Sequence, residues 1–208
     1  MSGAAATAAA PPRRTQRERR EGTIARLVDA TIESLLAVGY ARTSVKEICQ
    51  RAGVSHGGLF RHFESVLALV MAAAEEVAQR QLAMAEAGLA RAADSQEPLV
   101  AALHQIRAGC RAPINAVFYE LVVAARTDPE LRAAMTTFGN RYAAAIAQAA
   151  QRANVGRQLP PELLPVLVTS ALHLFDGEAL TRSVLAFPQL EDQRMELLIQ
   201  LARSLTRK

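Results

Sequence analysis

From Ile24 onward, apolar side chains recur at helical spacing. Ile24, Leu27, Val28, Thr31, Ile32, Leu35 and Leu36 follow the i, i+3, i+4, i+7 rule on one face. Gly39 supplies a left-handed stop, and Tyr40 behind it is placed to fold back onto the helix end. Ser44-Val45-Lys46-Glu47 has the form of a capping box, which predicts reciprocal side-chain and backbone bonds at the start of a second, short helix. Val45, Ile48, Cys49 and Ala52 form its buried face, and Gly53 ends it. Val54 plugs the small core, and Ser55 caps a third helix that buries Leu59 and Phe63. Ser65 caps a fourth, in which Leu67, Val70, Met71, Ala74 and Val77 lead into an Ala-rich run toward Ala92. Beyond Pro98 the spacing predicts helices at 98–111, 113–126, 128–153, 160–187 and 189–206, broken at Pro113, Thr127-Asp128-Pro129, Asn154 to Pro161, and Pro188. No alternating strand pattern competes. The chain is predicted to be all-α, with about nine helices, a three-helix N-terminal unit over 17–64 and a helical unit over 65–208.

Composition agrees with helix: half of the residues are hydrophobic but only 4% are aromatic, so Ala and Leu supply most of the apolar surface. The formal net charge of +4 is unevenly spread. Residues 1–64 carry ten Lys/Arg against six Asp/Glu, whereas residues 65–208 carry fourteen of each, so the excess positive charge sits in the N-terminal third. Residues 1–16 are Ala, Pro and Arg without periodicity and are expected to be a disordered basic tail. Cys49 and Cys110 fall on apolar helix faces without metal-ligand spacing, which points to reduced core thiols in the cytoplasm. No signal peptide is visible, and Leu163 to Phe175, interrupted by Pro165, Thr169, Ser170 and His173, reads as too short and too polar to span a bilayer.

Ser44 to Phe63 has the mechanics of a helix-turn-helix: two short helices, a tight glycine turn, a hydroxyl cap at each start and a small apolar lock. Thr43-Ser44-Val45-Lys46-Glu47-Ile48-Cys49-Gln50-Arg51-Ala52-Gly53-Val54-Ser55-His56-Gly57-Gly58-Leu59-Phe60-Arg61-His62-Phe63 resembles the signature of the tetracycline-repressor (TetR) family, and Ile24 to Gly39-Tyr40 resembles that family's first helix. Leu174-Phe175-Asp176-Gly177-Glu178-Ala179-Leu180 is similar to a segment of the family's penultimate helix. The resemblance implies a homodimer whose N-terminal domains enter the half-sites of a palindromic operator. It also implies a C-terminal ligand-binding and dimerisation domain, in which an effector changes the separation of the two heads and releases DNA.

Carried over position by position, the resemblance puts Ser44, Ser55, His56, Gly57, Gly58, Phe60, Arg61 and His62 at or near DNA. Ser44 and Ser55 favour phosphate oxygens while also capping helices. His56 and Arg61 are candidates for base or phosphate contact, and His62 for phosphate contact or packing beside Phe63. Three departures from the family pattern involve four positions. Phe60 stands where tyrosine is common and Val66 where lysine is common, so two phosphate contacts are lost. Gly57-Gly58 removes side chains from the start of the reading helix, at a helix cost of up to about 2 kcal/mol, while permitting close backbone approach. Arg13, Arg14, Arg17, Arg19 and Arg20 either compensate, along the backbone or in the minor groove, or form a solvated tail; both readings stay open.

The C-terminal unit offers polar or aromatic residues within apolar stretches as ligand candidates: His104, Arg107, Phe118, Tyr119, Phe138, Tyr142 and His173. For each, packing or exposure is the alternative. His173 and Asp176, three apart, could form a hydrogen-bonded pair. The expected effector is small and largely apolar. The last two helices are the expected dimer surface, through Leu163, Leu164, Leu167, Leu174 and Phe175 with Leu197, Leu198 and Leu201, and Gly177 permits close approach; the alternative is that these helices close the monomer's own core. No nucleophile–base motif, phosphate loop or metal-spaced cluster supports an enzyme, a cofactor or a metal site, and no helix has the strongly basic face of a membrane-surface protein. The helix-turn-helix points to a sequence-specific DNA-binding transcriptional regulator, and the resemblance implies a ligand-responsive repressor; the alternative is a regulator controlled by a protein partner, or an activator, without a small-molecule ligand.

Overall fold

The computed structural model describes residues 15–153, 155–157 and 159–206. Nine α-helices and two 3-10 turns make up the described residues, with no strand among them: α1 (Gln16–Val38), a 3-10 turn (Tyr40–Arg42), α2 (Val45–Ala52), α3 (His56–Phe60), α4 (Val66–Ala93), α5 (Pro98–Cys110), a second 3-10 turn (Pro113–Asn115), α6 (Ala116–Ala124), α7 (Pro129–Ala153), α8 (Leu163–Thr181) and α9 (Pro188–Thr206). The all-α class and the helix count match the expectation, and four α-helix starts use hydroxyl caps.

The caps show where local chemistry decides. Thr15 and Glu18 form a complete capping box, so α1 begins before the first buried residue. The box expected at Ser44 is half-formed: Ser44 accepts from the Glu47 N–H at 3.3 Å, but the Glu47 carboxylate turns to Arg51 one helical turn on, at 2.8 Å. Ser55 and Ser65 cap α3 and α4 through the N–H groups of Gly58 and Ala68. Gly39 and Gly53 end α1 and α2 at φ 74° and 62°, a region a side chain rarely adopts.

One apolar cluster runs from the helix-turn-helix into the body. Leu27, Ile32 and Leu35 of α1, Ile48 of α2 and Leu59 of α3 pack with Leu69, Val70, Ala73 and Val77 of α4, and continue to Val117 and Leu121 of α6 and Leu131 and Phe138 of α7. The start of α4 at Val66 is therefore not a break in the core. Two smaller clusters follow, one around Leu89, Ala102 and Ala149, the other around Cys110, Ala171, Phe175, Met195 and Ile199.

Helix α8 differs from its sequence reading. It ends at Thr181, short of 187, yet it runs well beyond the Leu163 to Phe175 segment, and its 19 residues are long and apolar enough to cross a bilayer by length and composition. Glu178, buried within this helix, is paired with Arg107, Arg111 and Arg194. Phe175, expected on the dimer surface, is 1% exposed and belongs to the protomer's own core.

Candidate nucleic-acid interface

The residues between Ser44 and His62 divide by burial. Ile48, Ala52 and Leu59 are buried and fix the crossing of α2 and α3, while Ser44, Ser55, His56, Gly57, Phe60 and Arg61 are exposed. Each serine oxygen accepts a cap bond, which leaves the hydroxyl hydrogen free to donate to a phosphate. His56 and Phe60, one turn apart, pack ring to ring at 4.9 Å on the outer face of α3, and Phe60 remains 40% exposed. Arg61 has no ion-pair partner among the described residues, whereas Arg51 in the preceding helix is held by Glu47 and Glu33. The exposed, unengaged guanidinium is the one suited to a partner from outside. His62 is half-buried with Nδ1 enclosed and unpartnered, so Nε2 is the nitrogen left for an external contact.

The two glycines of α3 are not equivalent. A Cβ at Gly58 would lie 2.8 Å from the Val54 methyl, so packing requires glycine there. At Gly57 a Cβ would meet nothing within 4 Å, so the protein's own packing does not require glycine there. Sequence reasoning passed over Lys46 and Gln50, which line a shallow groove between α2 and α3 together with Val45, Cys49, Val54 and His56. Their signal was present: both are polar positions on the solvent face of α2.

Arg13 and Arg14 lie outside the described residues. Arg17, Arg19 and Arg20 are on α1 itself, exposed, in a helical stretch that precedes the buried residues. They are therefore held on a helix rather than on an extended arm, which removes the minor-groove threading considered for these three.

The helix-turn-helix is tied to the body at Gly39-Tyr40. The Tyr40 N–H donates to Glu120 Oε2 of α6 at 3.1 Å, and its hydroxyl donates to Asp128 at 3.2 Å. Burial and the Asp128 charge raise the Tyr40 hydroxyl above its ordinary range. The Asp128 carboxyl is lowered by the bond from the Leu131 N–H at the start of α7, with help from Tyr40. A Cβ on Gly39 would come 2.8 Å from Glu120 Oε2, a second reason for glycine there.

The ligand candidates of the body are not brought into one site. Phe118, Tyr119, Phe138 and Tyr142 converge: Phe118 lies 6.3 Å from each tyrosine ring, and Phe138 stacks on Tyr142 at 5.9 Å. His104 and His173 are exposed and stand apart. Asp176 pairs with the Tyr119 hydroxyl at 2.7 Å rather than with His173. Arg107 is locked elsewhere, with Arg111, against Glu178 of α8 and Glu191 of α9. Burial alone would raise the Glu178 carboxyl, but hydrogen bonds and charge from Arg107 and Arg111 outweigh it and hold the group below the usual carboxylate range. Cys110 and Cys49 are both raised, mainly by burial, and stay thiols.

Comparisons with known proteins agree with this geometry. Residues 27–73 match the family described as bacterial regulatory proteins, tetR family. The HTH-type transcriptional regulator Rv2912c of Mycobacterium tuberculosis is 43% identical over 188 residues, covering 90% of this chain and 96% of that protein. The HTH-type transcriptional regulator TtgR of Pseudomonas putida is 33% identical over 116 residues, 55% of this chain and 50% of that protein. Among solved structures, a TetR-family transcriptional regulator from Rhodococcus sp. superposes with a TM-score of 0.66 at 17% identity, covering 89% of this chain and 99% of that one.

Proposed function

The chain belongs to the TetR family of bacterial transcriptional regulators, which are DNA-binding proteins rather than enzymes, and from that premise we propose that it is an effector-controlled repressor acting as a cytoplasmic homodimer on a palindromic operator. Residues 17–64 are the reading head, and 65–208 carry the effector site and the dimer surface. The observation that carries the reading is the outward row of Ser44, Ser55, His56 and Arg61, exposed and held by a buried lock. Arg61 supplies a bidentate or phosphate contact, His56 a second, Nε2 of His62 a third, and bare Gly57 lets the backbone approach. Arg17, Arg19 and Arg20 add charge along the flanking phosphates.

The dimer reading rests on apolar surface. Val166 and Leu180 of α8, Val184, Leu185 and Phe187 of the following turn, and Leu190, Leu197 and Leu201 of α9 are exposed, Val184 by 83% and Leu197 by 65%. Patches of this kind mark an interface. Gly177 faces outward with nothing within 4 Å of its Cβ position, which favours close helix approach. A second copy is a better cover than a bilayer, because α8 also carries Glu178 in its ion-pair cluster.

Footprinting on the DNA flanking the gene, with sedimentation of the free protein, tests the proposal. A two-fold protected site bound by a dimer, with affinity falling steeply as salt rises, is the expected result. A monomer, or binding independent of salt, would overturn it.

A further inference from the structure

The two small core clusters of the body do not merge. Beside them lies an open cavity of about 540 Å³, lined among the described residues by Ala93 of α4, Val100 of α5, Ala153 of α7, Ala202 of α9, and Val155 and Leu159 between α7 and α8. Alanine at three of these positions leaves the space unfilled. The volume lies in the range of small-molecule sites. The cavity stands at the end of α4 remote from the head, 28 residues along, a distance of about 40 Å. It shares no lining residue with the aromatic group of Phe118, Tyr119, Phe138 and Tyr142.

The cavity's apolar walls are aliphatic, with no aromatic ring among its described lining residues, and its polar lining carries both signs of charge. Glu97 is held by Nε and Nη2 of Arg203, at 2.7 and 3.0 Å. Asp94 and Arg157 line the same cavity, both exposed, and neither has an ion-pair partner among the described residues. Asp94 follows the last turn of α4, whose outward carbonyls reinforce its pull on a cation. A ligand with one charge answers one of these two groups and leaves the other open, whereas a zwitterion answers both. We propose that the cavity binds an aliphatic zwitterion, a free amino acid or a short peptide with leucine-like side chains. Its ammonium faces Asp94, its carboxylate faces Arg157, and its side chains lie against Val100, Val155 and Leu159. The two sources differ in span: a free amino acid carries both charges on one carbon, and a second residue moves them apart by about 3.5 Å. The site goes beyond the regulator reading and does not rest on it, since binding here is measured without DNA.

Calorimetry on the full chain tests the site with L-leucine and L-leucyl-L-leucine, each beside its N-acetyl and C-amide forms, which remove one charge at a time and keep the side chains. At least one zwitterion should bind roughly tenfold or more tightly than either of its blocked forms, and the tighter of the two zwitterions identifies the source. Asp94→Asn should erase the preference over the N-acetyl form and keep that over the amide; Arg157→Gln should do the reverse. Both residues are exposed, so both variants should melt as the wild type does, which separates a lost contact from a lost fold. Ala153→Leu, which fills the cavity from a half-buried position, should abolish binding of every probe. Failure of both zwitterions to bind, equal binding of the blocked forms, a preference that survives both charge variants, or binding unchanged in Ala153→Leu overturns the site. Should Ala153→Leu not fold, the two charge variants decide it.

Discussion

The reading head and the helical body both spend polar side chains, but in opposite ways. In the head, Ser44, Ser55, His56 and Arg61 face outward, and Arg61 has no ion-pair partner among the described residues. In the body, Arg107, Glu178, Glu191, Gln81, Asn115 and Tyr119 face inward and satisfy one another. An outward group left open is available to a partner from solution at little cost to folding. An inward group left open costs several kcal/mol, so the body pairs most of its buried polar atoms, with Arg107 Nη2 and Ser95 Oγ the exceptions among its described residues. Substitutions in the body should therefore be read in stability, and those in the head in DNA affinity with stability unmoved.

Glu178→Ala should have the largest effect. It strands Arg107 and Arg111 without their main counter-charge, and breaking such a buried cluster costs about 3–5 kcal/mol, read as a lower midpoint in urea. The pH dependence has a definite sign. The Glu178 carboxyl is held below its ordinary value in the folded state. Its stabilisation is full above the unfolded glutamate value of about 4.3 and is lost as pH falls through the lower folded value. The wild type should lose stability in that acid range more steeply than Glu178→Gln, and equal slopes would break the assignment.

Arg61→Ala comes next and should move the other observable. Loss of one base or phosphate contact weakens operator binding by about 1–3 kcal/mol, roughly five- to 150-fold, measured by fluorescence anisotropy of a labelled operator. Circular dichroism and melting should stay at wild-type values, because Arg61 is exposed at the end of α3. A large fall in melting temperature would mean that Arg61 belongs to the body's logic rather than the head's.

The difference between the regions also explains what the sequence made legible. The head is local. Ser55 caps the next residue's helix by accepting from an N–H three residues on, Gly39 and Gly53 stop the helices they follow, and Leu59 packs with Ile48, so a window of about twenty residues holds the information. The body's helices were legible for the same reason, since Pro98, Pro129 and Pro188 begin α5, α7 and α9. Its polar partners were not. Gln81 meets Asn115 across 34 residues, Tyr119 meets Asp176 across 57, and Arg107 meets Glu178 across 71. No periodicity links such pairs, so Arg107 read as a ligand candidate and Asp176 as a partner for nearby His173. Even in the head one local rule lost: Glu47 favours the full charge of Arg51 over the backbone N–H of Ser44.

The joint between head and body should show a smaller effect. Tyr40→Phe removes the hydroxyl bond to Asp128 but keeps the Tyr40 N–H bond to Glu120, a loss of about 1 kcal/mol. Hydrogen exchange should quicken in the turn at Tyr40–Arg42 and the end of α1, with the slow core of α4 unchanged. Uniform quickening would mean that head and body unfold as one unit.

The smallest effect is also the sharpest discriminator, because it moves the two observables in opposite directions. Gly57 sits in the first turn of α3 with open space around its Cβ position, so alanine there meets no clash in the free protein. Helix propensity alone makes Gly57→Ala stabilising, by at most about 1 kcal/mol. If DNA approaches the backbone at this point, the added methyl group meets the duplex, and operator affinity falls even as the melting temperature holds or rises. Gly58→Ala is the control. Its Cβ would lie 2.8 Å from Val54 Cγ1, so it should lower stability and affinity together. Affinity that rises along with stability in Gly57→Ala would place the duplex away from the start of α3 and leave Arg61 and His62, at its other end, to carry the contact.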